Sequence, residues 1–459
     1  MDNILTEVLH MLQLSFEKTP PIMLLGVIVL AGALCGELAR RFALPRLTGY
    51  LAAGVATHLA LAALDLGWPI QELVQDFLPL FEVALGFALV EVGRRIQLHW
   101  LARNKALLAT VVLESVLSFA AVSLALFWLG VGPWTAVLLG AIVTGTSPLV
   151  LQAVSLQVRA EGQISERALH IAAVNTMTAA VLVSALLPVA NAAQPHLELV
   201  YIFKPLAGLV LAAVIGSLCG RLLRLLLNRS RDLPYAWTCV VGIVSLLVGA
   251  SQWMAAPVVV AALAMGLSVS EAAQRRVTAR KLNGAAAAGV AAPAPAGPAP
   301  LLWPEPPALS VMVYVVLFLF AGAALPWHDW WSKPQDWPFV AGVAAALLLV
   351  RFAAKAAAVL ATGSWSGLRP AQSVGLAAAL QPLSVTALAL YLQVRAGYAG
   401  LEPAAAGALL VALAAADLLM PVVTMITLRA SGEAETAPPQ PTAKPAAAAE
   451  GAAPRLREQ

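Results

Sequence analysis

The sequence predicts an all-α, polytopic membrane protein of about thirteen transmembrane helices, with an inverted repeat in which helices five and twelve are broken and cross. Three observations lead there. The first is composition: of 459 residues, 60% are hydrophobic and only 11% are charged, against about a quarter charged in soluble domains. Mean hydropathy is +0.83 over the whole chain, so the excess does not come from a single anchor. The second is the recurrence of apolar segments of about 20 residues, the length that crosses a bilayer. The third is a pair of mid-span breakers, Gly145-Thr146-Ser147-Pro148 and Gln381-Pro382.

Residues 1–20 lack a basic leader and a small-residue cleavage site, and read as an extracytoplasmic amphipathic helix rather than a signal peptide. Spanning segments then follow near 21–39, 48–65, 73–93, 106–129, 134–157, 167–190, 200–227, 235–252 and 256–271, so that residues 21–280 hold nine helices. Segments two, eight and nine are short, which leaves a count of twelve open. Residues 281–306 form a Pro/Ala-rich linker without the apolar content to fold. Segments near 307–325, 337–362, 370–396 and 403–429 complete the membrane domain over 307–429, and 430–459 is a second low-complexity stretch, read as a disordered cytoplasmic tail.

Loop charge gives an orientation. Alternate loops carry Arg40, Arg41 and Arg46; Arg94, Arg95, Arg103 and Lys105; Arg159 and Arg167; Arg221, Arg224, Arg229 and Arg231; Arg275, Arg276, Arg280 and Lys281; and Arg369. The intervening loops hold only Lys204, Lys333 and Arg395. The basic set is cytoplasmic by the positive-inside rule, which places the N-terminus outside and the C-terminus inside a bacterial plasma membrane. The net charge of +4 therefore reads as loop asymmetry and not as a nucleic-acid surface. Cys35, Cys219 and Cys239 lie in apolar stretches without metal spacing, and the six histidines fall mostly at helix ends or in loops. With no phosphate-binding loop either, no cofactor is expected and an enzyme is disfavoured.

Ionisable residues within spanning segments are costly and face a bundle interior, a partner or water. Here they are Glu82 and Glu91 in segment three, Glu114 in four, Arg351 and Lys355 in eleven, and Asp417 in thirteen. At about 1.5 Å per residue, Glu114, Glu82, Arg351 and Asp417 lie roughly 12–18 Å from the cytoplasmic helix ends, with Asn175 and Thr176 at similar depth. Glu91 and Lys355 are close enough to that face to snorkel, which makes Arg351 the better internal cation, with Glu114 and Glu82 as its candidate partners. Proline in mid-helix removes a donor and frees carbonyls that need an internal partner or an ion. The two breakers lie seven helices apart and so cross in opposite directions, the pattern of an inverted repeat meeting at a site.

Four stretches resemble the monovalent cation:proton antiporter superfamily, the sodium/hydrogen exchanger-like membrane domain. GELARRFALPRLTGYLAAGV (36–55) is similar to the family's first loop and second helix, and VTGTSPLVLQAV (143–154) to its unwound fifth helix. LLLVRFAAKAAAVL (347–360) resembles the eleventh helix, whose basic residue pairs with the ion-binding acid. The family's Asn-Asp pair in helix six corresponds to Asn175 and Thr176, with threonine in place of the aspartate.

The resemblance implies sodium or potassium:proton exchange by a homodimer in a lipid bilayer, with monovalent cations and protons as its partners. The ion and proton site would draw on Thr146, Ser147, Asn175, Thr176, Glu114, Glu82, Asp417 and Gln381, with Arg351 and Lys355 compensating charge. Thr176 ligates but does not titrate, so in a working antiporter the titrating carboxylate has moved, with Glu114, Glu82 or Asp417 as candidates. The alternative is an uncoupled or transport-dead homologue with a regulatory or assembly role.

Overall fold

The computed structural model describes residues 21–63, 70–96, 103–191, 199–229, 232–270, 307–325, 337–383 and 385–434. The N-terminal segment 1–20, the linker 281–306 and the tail beyond residue 434 lie outside the described residues. Among those described, all regular structure is helical, as composition required.

The first group of helices comprises α1 (Pro21–Arg41), α2 (Arg46–Ala63) and α3 (Ile70–Arg95). Next come α4 (Lys105–Trp128), α5 (Pro133–Thr144), α6 (Pro148–Val158), α7 (Gln163–Ala190), α8 (Leu199–Leu227) and α9 (Leu233–Trp253), followed by α10 (Val258–Ser270). The remainder are α11 (Pro307–Ala323), α12 (Trp337–Gly363), α13 (Pro370–Ala379), α14 (Val385–Gly397) and α15 (Pro403–Ala430). Seven stretches among the described residues are long and apolar enough to cross a membrane. Their outward faces, like those of the neighbouring helices, are large and apolar, as at Leu30, Leu34, Val210, Leu218, Leu349 and Phe352, which only lipid or another apolar surface solvates well.

Helix packing separates two neighbourhoods. In one, α1, α2, α3 and α11 pack on one another, and α9 packs on α3 and α8. The α2–α11 contact is close because Gly54 and Gly322 face each other; a Cβ on Gly54 would run into the Leu319 carbonyl. Small residues bring membrane helices together in this way when apolar burial alone does not drive association. In the other neighbourhood, α4 packs along α12, α5 and α7, while α15 packs on α12, α6 and α13.

Ends are tied across that second group. The Glu402 carboxylate, just ahead of α15, accepts from the Gly132 amide at 2.7 Å, at the start of α5. Beyond the other end of α15, Glu433 accepts from the Ile164 and Ser165 amides at 2.7 and 2.9 Å. A carboxylate at the head of α7 satisfies amides that have no helical partner.

Each of the two segments expected to be broken is two helices. The 133–158 stretch is the most enclosed spanning segment, with 83% of its apolar window buried, so its interruption lies in the protein interior. α5 ends at Thr144, and Ser147 caps α6 by accepting the Val150 amide at 3.2 Å. Pro148 then stands at the first position of α6, where its missing N–H costs nothing. Ser-Pro is thus a helix start placed inside a span. In the second stretch α13 ends at Ala379 and α14 begins at Val385, with Pro382 between them.

Candidate functional site

The two interruptions touch. The Ser147 amide donates to the Pro382 carbonyl at 2.8 Å, and the Thr146 hydroxyl donates to the Leu380 carbonyl at 3.2 Å. Two helix C-termini, those of α5 and α13, therefore bring freed carbonyls and their partial negative charge into one buried layer.

Arg351 of α12 fills that layer. It is 1% exposed. Its Nε donates to Val143 O at 2.7 Å and its Nη2 to Gly145 O at 2.8 Å, both at the end of α5. Its Nη1 donates to Gln381 O at 2.7 Å and to the Gln381 side-chain oxygen at 3.3 Å. The planar fork is what allows one cation to serve both breaks. Gln381 in turn donates from its amide to Ala377 O at 2.8 Å, which fixes its orientation on α13. Arg351 is thus an internal cation, as expected, but its partners are carbonyls rather than the Glu114 or Glu82 carboxylate.

The acid's counter-ion is Lys355, one turn further along α12. Glu114 and Lys355 are both 0% exposed and form a direct ion pair. Lys355 does not snorkel: its Nζ also donates to Thr144 O at 3.1 Å and to Thr146 Oγ1 at 3.0 Å. The second Glu114 oxygen accepts from the Asn175 amide at 2.5 Å. The same amide lies 3.4 Å from Thr146 Oγ1, and Ser115 donates to Asn175 Oδ1 at 3.0 Å. Full burial makes each of these bonds necessary, because a buried carboxylate without donors is heavily penalised.

Thr176 takes a different part. Its hydroxyl donates to the Thr146 carbonyl at 2.7 Å, which holds the unwound segment rather than facing Glu114. A narrow cleft lies here, lined by Thr146, Ser147, Thr176 and Thr386 among apolar residues of α5, α7 and α14. The structure therefore brings together Glu114, Lys355, Asn175, Thr146, Ser147, Thr176, Arg351 and Gln381.

Glu82 and Asp417 stand apart. Glu82 on α3 accepts from Gln252 of α9, in the other helix neighbourhood. Asp417 is buried in α15 and has an oxygen without any hydrogen-bond partner. Glu91 is 6% exposed and pairs with Arg95 at 3.3 Å.

Ser115 and the Thr144 carbonyl are site groups that sequence reading passed over. Ser115 stands next to Glu114 in the chain, and its role becomes visible only when α7 brings Asn175 against it. Thr110 of α4 and Thr362 of α12, 2.7 Å apart, extend the same polar seam, one turn from Glu114 and two turns from Lys355. Among the described residues, no group of three or more His, Cys, Asp and Glu side chains is placed to hold a metal ion.

A polytopic bundle in which two interrupted helices meet at a buried charged cluster defines a secondary transporter. The chain belongs to the sodium/hydrogen exchanger family, whose transmembrane model matches residues 26–430; it is a family of secondary transporters and not of enzymes. Among solved structures, the chain is similar to the sodium proton antiporter MjNhaP1 from Methanocaldococcus jannaschii at pH 8, with a TM-score of 0.63 and 18% identity. That match covers 90% of this chain and 97% of the other. An electron-microscopy structure of the same archaeal antiporter gives a TM-score of 0.61 and 17% identity, over 91% of this chain and 99% of that one. Likeness at such identities establishes the fold. Among curated protein sequences, none matches this chain.

Proposed function

We propose that the chain is a monovalent cation:proton antiporter whose exchanging group is the Glu114–Lys355 pair. The observation that carries this reading is the set of oxygens around the Lys355 ammonium. Glu114, the Thr144 carbonyl and the Thr146 hydroxyl all accept from it. A carboxylate, a carbonyl and a hydroxyl are also ligands that a sodium or potassium ion takes up. The ammonium is a resident occupant of a monovalent cation position.

Coupling follows from burial. When Lys355 releases its proton, Glu114 is left as an uncompensated charge in a low-dielectric site, a state that costs about 3–5 kcal/mol. A metal cation restores the balance by taking the vacated ligands. A second positive charge beside the ammonium would be repelled, so proton and cation exclude each other. The exchange is one proton for one cation, and the site's net charge is the same in both states. Thr176 does not titrate in this scheme; the coupling role that a helix-six aspartate would fill passes to α4 and α12. Asn175 and Ser115 hold the carboxylate in place throughout.

Alternating access would come from movement of the group built on α4–α7 and α12–α15 against the other helices, with the touching breaks as its centre. The protein would work as a homodimer in a bacterial plasma membrane, its N-terminus outside and its C-terminus cytoplasmic.

The test uses everted vesicles from cells without their own antiporters. A respiration-driven pH gradient should collapse when sodium or potassium is added to vesicles carrying wild type, and persist with Glu114→Gln at equal expression. Persistence with wild type, and activity gained only by Thr176→Asp, would instead identify an uncoupled homologue.

A further inference from the structure

Glu114, Lys355 and their neighbours leave one buried carboxylate unused. Asp417 of α15 is 4% exposed, and its Oδ1 has no hydrogen-bond partner. Pro421 sits four residues on within the same helix. Having no N–H, it also deprives the Asp417 carbonyl of its helical bond. Thr424, seven residues on, lies on the same helical face. It is 0% exposed, and its hydroxyl is likewise unpartnered. α15 thus presents a carboxylate, a freed carbonyl and a hydroxyl in one buried stripe.

α6 packs on that helix, and among its inward residues is Gln152, 2% exposed, with both its amide oxygen and nitrogen unpartnered. The register is set where the Glu161 amide donates to the Glu433 carbonyl at 3.0 Å, just past the ends of both helices. Nine residues back from each tie point are Gln152 and Thr424, so these two stand at about the same height, roughly 14 Å in. Asp417 lies about another 10 Å deeper, towards the level of the interrupted segment after α5.

Each unpartnered buried polar group costs about 1–3 kcal/mol. Several in one helix seam inside a membrane domain are too costly to retain without a polar ligand that visits them. The charged groups of the helices packed on α15 do not supply it. Arg351 and Lys355 are committed as described; His58 of α2 meets Ala323 O at 2.9 Å through Nδ1 while its Nε2 is a further buried atom without a partner, and the Tyr50 ring of α2 lies against Gly36. Arg369 and Arg395 are exposed at helix ends. Arg46 of α2 pairs with Glu37, Tyr391 shares α14 with Arg395, and α6 carries no titratable side chain.

We propose that Gln152, Thr424 and Asp417 line a hydrated proton path. It would run from the face bearing Glu161 and Glu433 to the exchange site, with Asp417 as its inner relay. The ligand is water and the proton it carries. The relay takes a proton from the chain of waters and passes it on without adding to the one-for-one exchange. This rests on the proposed antiport function only for its second test.

The first test is accessibility. In the full chain, with Cys35, Cys219 and Cys239 replaced by serine, Gln152→Cys and Thr424→Cys are exposed in vesicles to a charged methanethiosulfonate. This reagent attacks only thiolates that meet water. Two controls are Leu419→Cys, 58% exposed on the outer face of α15, and Val154→Cys, 1% exposed within α6. The path predicts labelling of both seam positions at least about tenfold faster than either control, and only from the face bearing Glu161 and Glu433. Labelling no faster than the controls would overturn it, whether or not the protein transports.

The second test separates a relay from a structural acid. Asp417→Asn should slow cation-driven proton flux by about tenfold or more and leave the cation concentration at half-maximal flux unchanged, with Asp417→Glu restoring the rate. A change in half-maximal concentration without a change in maximal flux would contradict it. Labelling of the seam in a wild type that shows no exchange would sustain the water path and remove the antiport reading.

Discussion

Replacing Lys355 by methionine mimics the deprotonated state permanently, and its cost follows from the structure. The substitution removes the cation bonded to Glu114, together with the bonds to Thr144 O at 3.1 Å and Thr146 Oγ1 at 3.0 Å. Because both partners are fully buried, the orphaned carboxylate should cost about 3–5 kcal/mol. Glu114→Gln alone leaves the ammonium unpaired and should cost a similar amount. In the double variant the substituted amide still accepts from Asn175 and neither member of the pair is charged, so the loss should fall to about 1–2 kcal/mol. A second consequence is specific to the cation reading. A monovalent ion at about a hundred times its dissociation constant should return roughly 2.7 kcal/mol to Lys355→Met, and nothing to the double variant. Thermal unfolding in detergent, followed by the fluorescence of the 12 tryptophans, reads both effects, with choline as the ionic-strength control. Additive losses in the double variant, or a Lys355→Met protein indifferent to sodium and potassium, would show that Lys355 does not occupy a cation position.

Other substitutions divide the site by role. Arg351→Met strips a donor from carbonyls at two helix ends, those of Val143, Gly145 and Gln381, at about 1–3 kcal/mol each, so the protein should fail to accumulate in membranes. Arg351→Lys should recover only part of the yield, because an ammonium cannot fork between both breaks. Thr176→Val removes one hydrogen bond to the Thr146 carbonyl, about 1 kcal/mol, and should retain exchange within a few-fold; abolition would return a direct ion-handling role to Thr176. Glu82→Gln should exchange like wild type, since its partner Gln252 lies in the other helix neighbourhood; loss of coupling would show that Glu82 titrates.

The helical class and both breaks are legible in the sequence because they depend on local chemistry. Apolar length dictates spanning helices, and Ser147-Pro148 encodes a helix start wherever it occurs. The depth of Glu114, Asn175 and Arg351 is equally readable, since rise per residue is fixed. What sequence does not encode directly is azimuth. Arg351 and Lys355 share one face of α12, yet only packing decides that the shallower lysine meets Glu114 while the deeper arginine spans the carbonyls of two other helices. Glu82 has the same calculated depth as Arg351 but belongs to α3, which faces α9 and α11 rather than α12. Depth therefore proposes the layer, and helix neighbourhood decides which members meet.

The Glu114–Lys355 slot holds one positive charge at a time, and this claim has a direct electrical test. Purified protein in sealed proteoliposomes is given an outward proton gradient, and cation uptake is followed with and without an imposed membrane potential. Exchange of one proton for one cation predicts uptake that depends on the pH gradient, is indifferent to the imposed potential, and is absent in Glu114→Gln. Uptake driven by potential alone, or surviving in Glu114→Gln, would contradict the account.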